Sequence, residues 1–161
     1  MTITVTLDPG EMAVAQTLAT LRCAVNQAAG VVDRRRATTR EPLALDLLGT
    51  VSEIAFCKQF GAYPDMTVTP RRGGHDTVLN GRRWDIKATD KSHHRLLASP
   101  DKVISEVDRY ALAIVVGNVV DLIGWAPAGQ LLHPSTVTDL GHGPVHVLEQ
   151  DQLQPFPAVA L

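Results

Sequence analysis

The chain has 161 residues, 45% of them hydrophobic and 20% charged, with a net charge of −2. That suits one globular domain with a full core and is too short for two comfortable ones. Mild overall acidity argues against a protein that coats nucleic acid, and no apolar run reaches the roughly 18 residues that span a bilayer.

The first residues, Met1 to Asp8, lack the basic flank and apolar stretch of a signal peptide. Cys23 and Cys57 fall among apolar neighbours in helix-like segments, as small buried hydrophobes of a reducing compartment do. The cytoplasm is the expected location. The positive charge is focused. Apart from Arg22, every Lys and Arg lies between Arg34 and Arg109. From Arg71 to Arg95 there are seven Lys and Arg against three Asp, and Arg34, Arg35, Arg36 and Arg40 form a second cluster. Charge concentrated in this way suits a groove that follows phosphates.

In chain order, residues 9–29 carry apolar side chains at helical spacing, and Gly30 is a plausible stop. Residues 33–40 read as a loop. Glu41-Pro42 opens a second helix that runs to Phe60 and ends at Gly61. In it Ala44, Leu48, Val51 and Ala55 form the apolar stripe, with Glu53 on its border beside Asp46 and Gly49, where Gly49 would permit a close approach. Residues 62–75 are irregular, with a short strand expected at Met66–Thr69. Asp76 to Leu79, Asn80-Gly81 and Arg82 to Ala88 form the clearest hairpin signal, because Asn-Gly favours the two-residue type I′ turn. Ser99-Pro100 resembles a helix start, so a short helix is expected at 100–107. Tyr110–Val116 and Val119–Ala126 form a second hairpin around Gly117-Asn118, at the buried centre of the sheet. One or two helical turns at Pro127–Leu132 and a strand at Val145–Leu148 complete the pattern.

The first hairpin fixes a register: Leu79 faces Arg82, Val78 faces Arg83, Thr77 faces Trp84 and Asp76 faces Asp85. Lys87, two residues beyond Asp85, shares its face, while Trp84, Ile86 and Ala88 point to the core. Two carboxylates directly opposite each other repel unless something positive lies between them. Lys87 supplies part of that charge, and a hard divalent ion such as Mg²⁺ or Mn²⁺ would supply more. The bland alternative is an exposed hairpin whose aspartates are balanced by Lys87 and the flanking arginines. His133, His142 and His146 are broken up by Gly141, Gly143 and Pro144 and do not read as a zinc site.

Gly49-Thr-Val-Ser-Glu53-Ile-Ala-Phe56, then Gly73-Gly74-His75-Asp76, then Asp85-Ile86-Lys87 after eight intervening residues, resembles the PD-(D/E)xK nuclease superfamily. The likeness is to its small, phage-type and restriction-like members and spans residues 41–132. His75 stands where the name-giving proline would be. The resemblance implies a restriction-endonuclease-like α/β fold, a central mixed sheet flanked by helices, as one domain over residues 1–161. It further implies Mg²⁺- or Mn²⁺-dependent hydrolysis of DNA as an endo- or exonuclease. Metal ligation would fall to Glu53, Asp76, Asp85 and the Ile86 carbonyl, with Lys87 catalytic. Arg34, Arg35, Arg36, Arg71, Arg72, Lys91, His93 and His94 are the expected nucleic-acid contacts; a homodimer is left open and no membrane is expected. Two rivals remain: a catalytically silent nucleic-acid-binding protein of the same fold, and a metal-dependent phosphohydrolase of small phosphates.

Overall fold

The computed structural model describes residues 1–31, 41–70 and 74–157. The elements are β1 (Ile3–Thr6), α1 (Pro9–Ala28), α2 (Pro42–Phe60), β2 (Thr77–Leu79), β3 (Arg82–Thr89), β4 (Leu96–Ala98), β5 (Arg109–Val116), β6 (Val119–Pro127), α3 (Ala128–Leu131), β7 (Val137–Asp139) and β8 (Pro144–Leu148). Five strands form a mixed sheet in the order β1-β6-β5-β3-β2, parallel only between β3 and β5. A second, antiparallel sheet has the order β4-β8-β7. No helix of the described residues is long and apolar enough to cross a membrane.

Both faces of the large sheet are covered, which is why β5 is a continuous buried apolar run from Tyr110 to Val115. On one face Trp84, Ile86, Ala111 and Ala113 meet α2 through Val51, Ala55 and Phe56. On the other, Tyr110 and Leu112 meet Leu96 and Leu148 of the small sheet and Leu131 of α3. Asp8 caps α1 by accepting from the Glu11 amide, and the Glu11 carboxylate returns a bond to the Asp8 amide. Gly61 closes α2 in the left-handed conformation that only glycine adopts without strain.

Several expectations change. The second half of α2 is buried on nearly every side, Thr50 and Ser52 included, while Ala44 is exposed. The helix therefore lacks the single stripe expected of it. Nothing crowds Gly49: a Cβ there would meet only a Glu53 oxygen, at 3.8 Å. Met66–Thr69 forms no strand, because the Arg22 guanidinium satisfies the Asp65 and Thr67 carbonyls at 2.6 and 3.2 Å in place of a partner strand. Residues 100–107 form successive turns, Lys102 N to Ser99 O and Glu106 N to Val103 O, and no helix. The Arg83 guanidinium binds the Ser105 carbonyl and grips Asp108, and Val107 is drawn into the second core. Those anchors leave no room for a continuing helical ladder.

Candidate active site

Local turn chemistry sets the hairpin. Asn80 and Gly81 take φ of 51° and 72°, the left-handed pair that a type I′ turn requires. The pairs Leu79–Arg82, Val78–Arg83 and Thr77–Trp84 follow as expected, but the fourth expected pair, Asp76 with Asp85, is not part of the ladder. Alternation along β3 sends Trp84 and Ile86 into the α2-side core and Asp85 and Lys87 to the opposite face. There Asp85 lies beside Tyr110 and Lys87 beside Leu112 of the parallel neighbour, and the Lys87 ammonium sits 5.8 Å from the Tyr110 ring centre.

The regular ladder stops at Thr77. The Asp76 amide donates to the Trp84 carbonyl at 2.7 Å, and the Asp76 carboxylate accepts from the Ile86 amide at 2.6 Å. A side-chain oxygen thus does what the carbonyl of a longer β2 would do. Asp85 is only 3% exposed. Its Oδ1 is 2.6 Å from Lys87 Nζ and its Oδ2 is 3.0 Å from Lys102 Nζ. Lys102 comes from the turns after β4 and also lies 3.5 Å from the Gly74 carbonyl. On α2, Glu53 Oε2 is 3.0 Å from Arg22 Nη1 of α1.

Three carboxylates and three cations, Arg22, Lys87 and Lys102, therefore balance in one small region, and the carboxylates feel one another. Burial, then the charges of Asp85 and Glu53, holds Asp76 well above the usual carboxylate range; Lys87 and the Ile86 amide pull the other way. Burial likewise raises Glu53, against the opposing pull of Arg22, with Asp85 and Asp65 adding to the rise. The Tyr110 hydroxyl on the same face is fully buried with no hydrogen-bond partner among the described residues. Its pKa is pushed up by burial and then by the Asp85 charge.

Among the described residues no three His, Cys, Asp or Glu side chains, Glu53, Asp76 and Asp85 included, are grouped so that they could hold a metal ion. Mg²⁺ rarely uses three; one or two carboxylates, waters and substrate phosphates are its usual shell. Asp76 and Asp85 lie on either side of the Ile86 amide as the two carboxylates that could join such a shell, while Glu53 is turned toward Arg22. A concavity of about 480 Å³, lined chiefly by Met12, Leu47, Leu48, Val51 and Val115, includes none of these charged residues. Size alone does not mark the chemistry here.

Of the expected nucleic-acid contacts, Arg34, Arg35, Arg36, Arg71 and Arg72 lie outside the described residues. Lys91 and His93 are exposed in the turn after β3, and His94 is half-buried with Nδ1 3.0 Å from the Arg95 carbonyl. Cys23 and Cys57 are free and buried, and His146 is buried against the Thr136 hydroxyl at 2.9 Å. Two residues escaped the sequence reading, Lys102 and Arg22. Arg22 had one visible signal, as the lone cation outside the basic region; Lys102 had none, since only the path of the turns brings it to Asp85. No family model matches the chain, and neither a curated protein nor a solved structure does.

Proposed function

We propose that this chain is a metal-dependent phosphodiesterase acting on nucleic acid, DNA first, with the layout of a PD-(D/E)xK nuclease on a restriction-endonuclease-like fold. One observation carries it: buried Asp85 lies between two lysines while Asp76, just before β2, is held on the neighbouring Ile86 amide. Structural hairpins rarely bury two like charges, because each must be desolvated and they repel.

A divalent ion held by Asp76 and Asp85 would lower the pKa of a bound water and polarise a phosphate oxygen. A strand residue's N–H and C=O point to the same side, so the Ile86 carbonyl faces the gap where β2 ends and would be a third oxygen donor. Lys87 and Lys102 would offset the charge that grows on the phosphate in the transition state. Glu53 would complete the acidic set only if it left Arg22, and we assign it to positioning α1 and α2 beside the site.

The ion pairing of both Asp85 oxygens also suits a silent nucleic-acid-binding module. Cleavage separates the two. Supercoiled, linear, single-stranded and branched DNA and RNA are incubated with Mg²⁺, Mn²⁺ or EDTA. Cutting is expected with the metals alone, and Lys87→Ala should abolish it while leaving the far-UV spectrum unchanged and affinity only modestly reduced. If no substrate is cut with either metal, or if Lys87→Ala cuts at the wild-type rate, the enzyme reading is wrong.

A further inference from the structure

At the N-terminal ends of β3 and β5 is a second concavity of about 260 Å³, lined by Arg82, Arg109, Trp125 and the Asp108 region. Arg109 pairs in register with Trp84. Its guanidinium lies 5.2 Å from the Trp84 ring centre and 4.5 Å from that of Trp125. Stacking of this kind occupies the flat face of the group and leaves its N–H edge for planar or tetrahedral oxyanions. Arg109 is half-buried, and among the described residues it makes no side-chain hydrogen bond or ion pair.

The nearby acid cannot serve it. Asp108 Oδ2 accepts from the Arg83 backbone amide at 2.8 Å and from Arg83 Nε at 3.1 Å, and Oδ1 accepts from Nη2 at 3.0 Å. The Asp108 charge still acts on Arg82 and Arg109 from a distance, but three arginines against one aspartate leave the pocket net positive. A partly desolvated guanidinium without acceptors is costly, and a charged acceptor would remove the cost.

We propose that this pocket is a phosphate subsite, read by the Arg109 fork with Arg82 as its second cation. Its volume falls below the roughly 300–1,000 Å³ of ordinary ligand pockets, so it takes a phosphate group and not a whole nucleotide. Arg82 stands three residues before Asp85 on β3, roughly 10 Å at strand rise but on the opposite face. A nucleic-acid strand, rising about 3.4 Å per charge, would reach both by passing around the N-terminal ends of β3 and β5 over several nucleotides. The assignment of a backbone phosphate as the natural ligand rests on the nuclease reading; the pocket's affinity for phosphate does not.

Trp84 and Trp125, the chain's two tryptophans, both flank the Arg109 guanidinium, so tryptophan-selective fluorescence senses a ligand on Arg109, and the Arg109 and Arg82 variants tie the signal to this pocket. The full chain is titrated with inorganic phosphate at constant ionic strength against chloride, and separately with an oligonucleotide lacking terminal phosphates. Phosphate should give a saturable change that Arg109→Gln abolishes and that exposed Arg82→Gln weakens about tenfold. Lys87→Ala should leave it intact. Oligonucleotide affinity should fall about tenfold in Arg109→Gln. Should that variant misfold by circular dichroism, Arg82→Gln carries the same test. Phosphate binding without any loss of oligonucleotide affinity supports the subsite and identifies free phosphate as the source. No saturable response to phosphate over chloride in wild type overturns it, whatever the cleavage assays give. Saturable phosphate binding without cleavage would sink the nuclease reading and leave the pocket standing.

Discussion

Asp76→Asn isolates the electrostatics of the carboxylate pair. An asparagine oxygen can still accept the Ile86 amide, now bonded at 2.6 Å, so the substitution removes charge with little change in shape. The Asp76 carboxyl is raised in the folded state, first by burial and then by Asp85 and Glu53. A carboxyl whose folded pKa exceeds its unfolded value binds protons more tightly when folded. It therefore costs stability as pH climbs from about 4, the ordinary aspartate value, through the raised folded pKa. Like charges across a strand pair cost up to about 1 kcal/mol. At neutral pH the variant should be more stable by about that amount, a rise in Tm of about 2–4 °C for a chain of this size. Below pH 4, where the carboxyl is protonated in both states, the difference should vanish. Thermal denaturation from pH 4 to 8 in EDTA measures this, and repeating it with Mg²⁺ should stabilise wild type more than the variant by mass action. A variant less stable than wild type at pH 7, or a difference independent of pH, would refute the electrostatic account. Equal Mg²⁺ stabilisation of both proteins would exclude Asp76 as a ligand.

Arg22→Ala should destabilise by about 2 kcal/mol in chemical denaturation, because it strands Glu53 without its partner and frees the Asp65 and Thr67 carbonyls. Adding Glu53→Gln should recover part of that loss, and a simple sum of the two single effects would show the pair to be uncoupled. Gly124→Ala should cost about 1–3 kcal/mol by the same assay, since its Cβ would come within 2.8 Å of Leu153 Cβ and 2.9 Å of the Gln154 carbonyl. A neutral result there would mean that the 153–154 segment yields freely.

What the sequence revealed was local. The I′ turn needs only Asn80-Gly81, the face sorting of Asp85, Ile86 and Lys87 needs only a period of two, α1 announces itself through apolar spacing, and α2 through Pro42 at its start and Gly61 at its end. What stayed hidden depends on contacts far along the chain. Lys102 reaches Asp85 because Arg83 and Val107 pin the turns around it, and Arg22 reaches Glu53 across two helices. β1 could have been read: Ile3, Val5 and Leu7 alternate with polar residues. The three-residue strands β4 and β7 are too short for any period to show. At Ser99-Pro100 a genuine start signal was overruled by tertiary anchors, which outweigh a short helix's small propensity.

The pairing of β1 with β6 also orders events during synthesis. Ile3 bonds in register with Leu122, and Phe156 packs against Phe56, Phe60 and Trp84. β1 must wait for β6, more than a hundred residues later, and the aromatic cluster over α2 closes only with Phe156. Non-local pairing of this kind slows folding, because loop closure is met before its contacts form. A growing chain would carry part of the apolar surface of α2 and β3 uncovered until β6 and Phe156 emerged, an interval in which aggregation competes with folding. Refolding yield should accordingly fall more steeply with protein concentration than it would for a fold built from neighbouring hairpins.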